Sequence, residues 1–258
     1  MQLSGRIALV TGANRGVGAA LVDALMARDA RKVYAGARDV SSLDGAVSRY
    51  GSRLVPIQLD VTKQSDIDAA AYRCSDVEVL VSNAGLAPAG PVLETSDALM
   101  REVFDVNVFG PMALVRAFAP ALTRNRGGLL FVNSVTGLVV SRSSPVYGAS
   151  KAAARMLILG LREHLRGSGV VVTTSHPGFI DTDMAADVPY PKASPRSVAD
   201  ASLDGLEAEQ TVVFPDPLAA LVENALVSRM PEVLVEPQRV MTELTGQLSA
   251  HMRDPSSR

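Results

Sequence analysis

Short runs of consecutive apolar residues alternate along this chain with longer stretches whose apolar positions recur every three or four residues. The first kind reads as strand buried on both faces, the second as helix with one covered face. The strand-like runs are residues 7–10, 32–38, 54–59, 77–82, 128–134, 170–175 and 211–214. Helical spacing occupies 19–28, 41–50, 65–73, 97–124, the stretch from Tyr147 towards Gly167, 197–208, 218–229 and 240–252. Inside the long fourth helix, Gly110-Pro111 predicts a bend. Residues 184–196 hold Pro189, Pro191 and Pro195 without any periodicity and read as a loop, placed to serve as a lid. Residues 254–258 are expected to fray.

Alternating strands and helices predict one parallel sheet of about seven strands with helices on both faces, the doubly wound Rossmann-type α/β class. No repeat or low-complexity linker divides the chain. The expectation is therefore a single domain over 1–258, with a substrate loop at about 184–197 and a C-terminal extension at about 211–258.

Composition narrows the function. Hydrophobic residues make up 47% of the 258 and charged residues 20%, which supports a packed core rather than disorder. The formal net charge is -2 and the basic residues are scattered, so no nucleic-acid partner is expected. No apolar run approaches the roughly 18 residues that cross a bilayer, so no membrane insertion is expected. The N-terminus enters a strand directly, without the charged and apolar regions of a secretory signal. Cys74 is the only cysteine, which rules out an intrachain disulfide and fits a cytoplasmic location. Three separated histidines and one cysteine offer no metal-ligand spacing, so no metal is expected.

Candidate chemistry begins at the first strand end. Thr11-Gly12-Ala13-Asn14-Arg15-Gly16-Val17-Gly18 joins strand to helix, which sets backbone N–H groups and a helix N-terminus against a phosphate. The glycine spacing, Gly-x3-Gly-x-Gly, differs from the commoner Gly-x-Gly-x2-Gly. At the end of the second strand an acidic residue would bind a ribose 2′-hydroxyl, whereas an arginine accommodates a 2′-phosphate. Here Arg38 ends the strand and Asp39 follows, with Arg15 as a second cation, which favours NADPH over NADH. Asp60 either caps the helix after it or bonds an adenine amine, and local physics favours the cap. Asn83-Ala84-Gly85 lets a cofactor lie close to the backbone. Asn107, near the bend, can hold a water through its side chain or a freed carbonyl. Ser134 lies at the carboxyl end of the fifth strand, on the rim where open α/β sheets bind ligands. Tyr147 and Lys151 share one helix face, one turn apart, and an ammonium there would lower the phenol pKa from about 10.

Taken in order, Thr11-Gly12-x3-Gly16-x-Gly18, Asn83-Ala84-Gly85, Asn107, Ser134, Tyr147-x3-Lys151 and Pro177-Gly178 with Thr182 resemble the classical short-chain dehydrogenases/reductases, in their NADP-preferring branch. The likeness covers about residues 5–184 and fades beyond Met184. It implies that Tyr147 exchanges a proton with a carbonyl or alcohol oxygen, that Lys151 lowers the Tyr147 pKa and bonds the nicotinamide ribose, and that Ser134 bonds the substrate oxygen. It implies a water held by Asn107, adenine contacts from Asp60 and Val61, support of the sheet by Asn83, passage for the cofactor at Ala84 and Gly85, and carboxamide contacts from Ile180 and Thr182 after Pro177-Gly178. Pocket candidates by position are Thr136, Leu138, Val140, Val146, Phe179 and Met184, with Leu86 and Ala87 opposite. Most are apolar, which points to a hydrophobic ketone or aldehyde, or the matching secondary alcohol. The resemblance implies a homo-oligomer, dimer or tetramer. Two alternatives stand beside this reading: an NAD-dependent alcohol or steroid-type dehydrogenase, and a dinucleotide-binding sensor without catalysis. Intact Asn107, Ser134, Tyr147 and Lys151 argue against the sensor.

Overall fold

The computed structural model describes residues 1–251, so the fraying expected at 254–258 lies outside the described residues. Seven parallel strands form one sheet: β1 (Ile7–Thr11), β2 (Lys32–Ala37), β3 (Leu54–Gln58), β4 (Val79–Ser82), β5 (Gly128–Val132), β6 (Val171–Ser175) and β7 (Val212–Val213). Their spatial order is β3-β2-β1-β4-β5-β6-β7. The chain winds outward from β1 in one direction and from β4 in the other. The switch point therefore falls between β1 and β4, where a crevice opens beyond the strand ends. Every residue of β1 and β5 is buried, as expected for strands covered on both faces.

Helices cover the two faces separately. On one, α1 (Gly16–Ala27) and α7 (Pro195–Glu207) bury Leu21, Leu25, Leu203 and Leu206 against the sheet. On the other, α3 (Gln64–Arg73), α5 (Gly110–Arg124) and α6 (Pro145–His164) bury Ile67, Leu114, Phe118, Leu122 and Ile158. The polar stretch after β2 becomes a 3₁₀ turn and a short helix, α2 (Asp44–Tyr50). Ser194 caps α7, its Oγ accepting the Ser197 N–H at 3.0 Å with Pro195 at the first helical position. That start signal places the helix ahead of the expected residue 197.

Residues 97–124 form one continuous helical stretch, and the break within it is a π-helical segment rather than a simple bend. α4 (Asp97–Phe104) runs into a π-helical segment, Asp105–Phe109, before α5. Pro111 has no N–H to offer the Asn107 carbonyl, and one inserted residue absorbs the defect. By length and composition this stretch is apolar enough to cross a bilayer, contrary to expectation, but half of its most apolar window is buried inside the fold. The C-terminal segment is more helical than its periodicity suggests. α8 (Pro217–Ser228), α9 (Met230–Val235) and α10 (Pro237–His251) follow β7. Leu218, Val222, Val240 and Leu244 from these helices pack on Val135 and Val139, directly behind the Ser134 rim.

Candidate functional site

The glycine turn after β1 is shaped for a close ligand. Gly12 and Gly16 hold φ of +62° and +55°, a region that L side chains rarely adopt. A Cβ on Gly18 would sit 1.9 Å from the Gly12 carbonyl oxygen. Asn83 locks this turn from β4, its Nδ2 donating to the Thr11 carbonyl at 2.9 Å. Thr11 Oγ1 in turn accepts the N–H groups of Asn83 and Ala84, both at 3.0 Å. Asn14 and Arg15 are exposed on the turn. Arg15 pairs with Asp183 at 3.1 Å, and a Cβ on Gly16 would come within 3.2 Å of Thr182 Cγ2. The loop after β6 therefore closes on the glycine turn.

Arg38 is exposed at the end of β2; against the opposing effect of burial, the Asp60 carboxyl is held below its usual range by the bonds from Thr62, with Lys63 and then Arg38 adding to them. Asp39 is already engaged: its Oδ1 accepts the Ser41 N–H at 3.0 Å and the Ser41 hydroxyl at 2.7 Å. Asp60 does not cap α3, whose N-cap is Lys63. Its Oδ1 instead accepts the Thr62 N–H and hydroxyl, a local turn that Asp favours, three residues before the Lys63 N-cap. Val61 is buried, and its carbonyl lies against Gly110, where a Cβ would approach to 2.5 Å.

Ser134, Tyr147, Lys151 and Asn107 converge beyond the ends of β4 and β5. Ser134 is buried, and its Oγ accepts the Thr136 hydroxyl at 2.9 Å and the Thr136 N–H at 3.2 Å. Its own proton has a long 3.5 Å contact to the Pro177 carbonyl and otherwise faces the Tyr147 hydroxyl, so it can turn to an incoming oxygen. Tyr147 is half-buried beside Ser134, whose hydroxyl favours the phenolate, but burial dominates and pushes the phenol up to about 12. Lys151 is buried, donates to the Val132 carbonyl at 3.1 Å, and has its Nζ 5.6 Å from the Tyr147 ring centre. Desolvation pulls its amine down to about 8. This corrects the expectation that Lys151 makes Tyr147 acidic. With the amine turned to the Val132 carbonyl, Lys151 does not contribute to the phenol's shift, and removal from water dominates both groups.

Asn107 is also used differently from the first of its two sequence readings. Its Nδ2 donates to the Leu86 carbonyl at 2.8 Å and to Ser150 Oγ at 2.9 Å, and its Oδ1 accepts the Leu86 N–H at 2.8 Å. The side chain is therefore spent on clamping the segment after Gly85, and only the carbonyl opposite Pro111 is left for a water. A Cβ on Gly85 would lie 3.4 Å from Asn107 Oδ1 and 3.7 Å from Lys151 Nζ, so the backbone passes close by both.

The far side of the site is held by residues that sequence reasoning missed. Asp216, buried at the N-terminus of α8, accepts the Gly178 N–H at 2.7 Å and the Ala219 N–H at 3.0 Å. The Asp216-Pro217 pair signals a helix start, but nothing in the sequence reveals its reach to Gly178. Ser150 joins Asn107 to the Tyr147 carbonyl, to which it donates at 2.7 Å. Asn133 Nδ2 donates to the Lys151 carbonyl at 3.1 Å and fixes α6 against β5. Of the pocket candidates, Thr136 supports Ser134 from behind, Val146 is buried, and Phe179 stacks on Tyr190 at 5.6 Å. Val140 and Met184 are exposed at 50% and 55%. The loop is tied at its base, where Ala193 donates to the Phe179 carbonyl at 2.8 Å and Ile180 bridges Ala193.

A sheet wound outward from β1 and β4, with a glycine turn and a Ser-Tyr-Lys cluster on one rim, defines a dinucleotide-dependent oxidoreductase class. The sequence profile of the short chain dehydrogenase family matches residues 6–192, and this chain belongs to that family. It is similar to a short chain dehydrogenase from Burkholderia cenocepacia J2315 solved in complex with NADP, at 39% identity and a TM-score of 0.85 over 95% of this chain and 99% of the other. It is 35% identical over 190 residues to a galactitol 2-dehydrogenase (L-tagatose-forming) from Cereibacter sphaeroides, spanning 71% of this chain and 74% of that one. An NADPH-dependent 1-acyldihydroxyacetone phosphate reductase from Saccharomyces cerevisiae is 31% identical over 196 residues, spanning 73% of this chain and 66% of that protein.

Proposed function

We propose that this oxidoreductase uses NADP(H) to interconvert a ketone or aldehyde and its alcohol, with Tyr147 as the acid/base. The glycine turn fits a dinucleotide, because Gly18 leaves no room for any side chain and Gly12 and Gly16 hold a left-handed backbone. Gly12, Asn14, Arg15, Gly16, Val17 and Gly18 would hold the diphosphate, Arg38 and Arg15 the 2′-phosphate, and Asp60 and Val61 the adenine. Asn83, Ala84, Gly85, Tyr147 and Lys151 would flank the nicotinamide ribose, and Pro177, Gly178, Ile180 and Thr182 the carboxamide. When bound, the nicotinamide supplies or accepts the hydride.

The protein's own groups handle the proton. A phenol held near 12 is protonated at neutral pH and can donate to a carbonyl oxygen. The Ser134 hydroxyl proton stabilises charge on the same oxygen. Lys151, at about 8, stays mostly cationic at pH 7 and can compensate a phenolate once the proton has left. Preference for NADP(H) rests on one observation: the Asp39 carboxylate is committed to Ser41, while Arg38 beside it is exposed. The exposed Arg15–Asp183 pair is worth at most about 1 kcal/mol and does not hold Arg15 back from a phosphate.

Substrates with apolar groups suit the mostly apolar residues around Ser134. Exposed Phe109, Met156 and Leu157, on the π segment and α6, support association into a homo-oligomer. Fluorescence titration tests the cofactor assignment. NADPH should bind more tightly than NADH, and Arg38→Ala should weaken NADPH by about tenfold or more, the value of a charged hydrogen bond, while sparing NADH. Tighter NADH binding with no effect of Arg38→Ala would overturn it. A panel of ketones and aldehydes, read by NADPH consumption, identifies the substrate.

A further inference from the structure

We propose that His176 is the positioning residue for Ser134, holding the Ser134 backbone through its Nδ1–H and thereby aiming the hydroxyl at the substrate oxygen. This rests on the function proposed above. Ser134 lies just past the end of β5, where regular pairing runs out. Its neighbours are still laddered to the β6 side, Asn133 N–H to the Ser175 carbonyl at 2.8 Å and Val135 N–H to the Pro177 carbonyl at 3.0 Å. The Ser134 carbonyl is held by two groups: the Gly137 N–H at 3.1 Å, within its own tight turn, and His176 Nδ1 at 3.1 Å. Only the second ties Ser134 to another element.

The imidazole is itself rigid. It is 1% exposed, its ring stacks on Phe214 at 5.7 Å, and the backbone N–H of His176 donates to the Val213 carbonyl at 2.8 Å. Burial lowers its pKa to about 4, with Arg155 and Lys151 adding to the effect and the Ser134 carbonyl opposing it. The ring is therefore neutral and carries one proton. A carbonyl can only accept, so that proton must sit on Nδ1. A misplacement of about 1 Å at such a hydroxyl can cost about a hundredfold in rate, so an anchor on the Ser134 backbone has a kinetic consequence.

The two amide replacements separate anchoring from space filling. In His176→Asn the side-chain nitrogen falls near the place of Nδ1; in His176→Gln it falls near that of Nε2. Asn leaves the larger gap against Phe214, so a residue that merely fills space would rank Gln at least equal to Asn. We expect His176→Asn to keep kcat within about threefold and His176→Gln to lose about thirtyfold or more, with NADPH affinity unchanged in both. Equal kcat for the two, or Gln above Asn, overturns the proposal. The parent protein gives a reading that needs no variant at this position. In 15N-labelled protein with His164 and His251 replaced by Gln, the remaining ring should be protonated at Nδ1 and stay neutral at pH 6. An Nε2–H tautomer overturns the proposal. Failure of the functional reading looks different: the parent itself would turn over no carbonyl substrate, while the tautomer result would stand.

Discussion

Replacing Lys151 by Met should make the unliganded protein more stable at neutral pH. Lys151 is 4% exposed and its amine titrates at about 8 rather than 10.5. Between these values the unfolded chain binds more protons than the folded one, so stability rises with pH through the window 8 to 10.5 and the burial penalty is fully present below 8. The shift corresponds to about 3 kcal/mol at pH 7, falling below about 1 kcal/mol by pH 10. Methionine has similar length and no charge to desolvate, though it forfeits the bond to the Val132 carbonyl, worth about 1 kcal/mol. The net gain at pH 7 should therefore be about 2 kcal/mol. Urea unfolding of parent and Lys151→Met at pH 7, 8.5 and 10 reads this directly, and the advantage of the variant should shrink steadily as pH rises. A difference between the two that is independent of pH would refute the reasoning, since only a titrating amine gives that slope.

Gly18→Ala should abolish NADPH binding or prevent folding, because the new methyl would meet backbone at 1.9 Å; isothermal titration and circular dichroism distinguish the two outcomes. Asn107→Ala removes three hydrogen bonds, one buried and two part-buried, and should lower stability by about 3 kcal/mol in denaturant titration. Asp216→Ala deletes both the α8 cap and the bond to Gly178, which should cost about 2–3 kcal/mol and weaken cofactor binding, measured by the same two titrations.

The alternation of runs and periods carried the architecture because a parallel sheet buried on both faces leaves its strands as continuous apolar stretches. The glycine turn was legible because backbone geometry there admits few residue types, and Asn83 and Ser134 were legible as polar residues standing just past the carboxyl ends of strands. What escaped was whatever depends on distant partners. The Asp216 contact with Gly178 spans 38 residues, and the His176 contact with Ser134 spans 42. The capping branch of the Asp60 reading failed because Thr62 takes up its carboxylate two residues on. The Tyr147–Lys151 reading captured the spacing but not the burial that sets both pKa values. The π segment was visible only as a bend, since Gly110-Pro111 marks a break in the ladder without saying whether the chain kinks or inserts a residue.

The most direct test of the account is steady-state turnover by Tyr147→Phe, with NADPH affinity measured on the same preparation. The phenol oxygen contributes no packing that Phe lacks, so NADPH should bind within a few-fold of the parent while kcat falls by about a hundredfold or more, the scale of lost general acid catalysis. Parent-like turnover by a variant that binds NADPH normally would contradict the assignment of Tyr147 as the proton donor, and with it the chemistry proposed for this site.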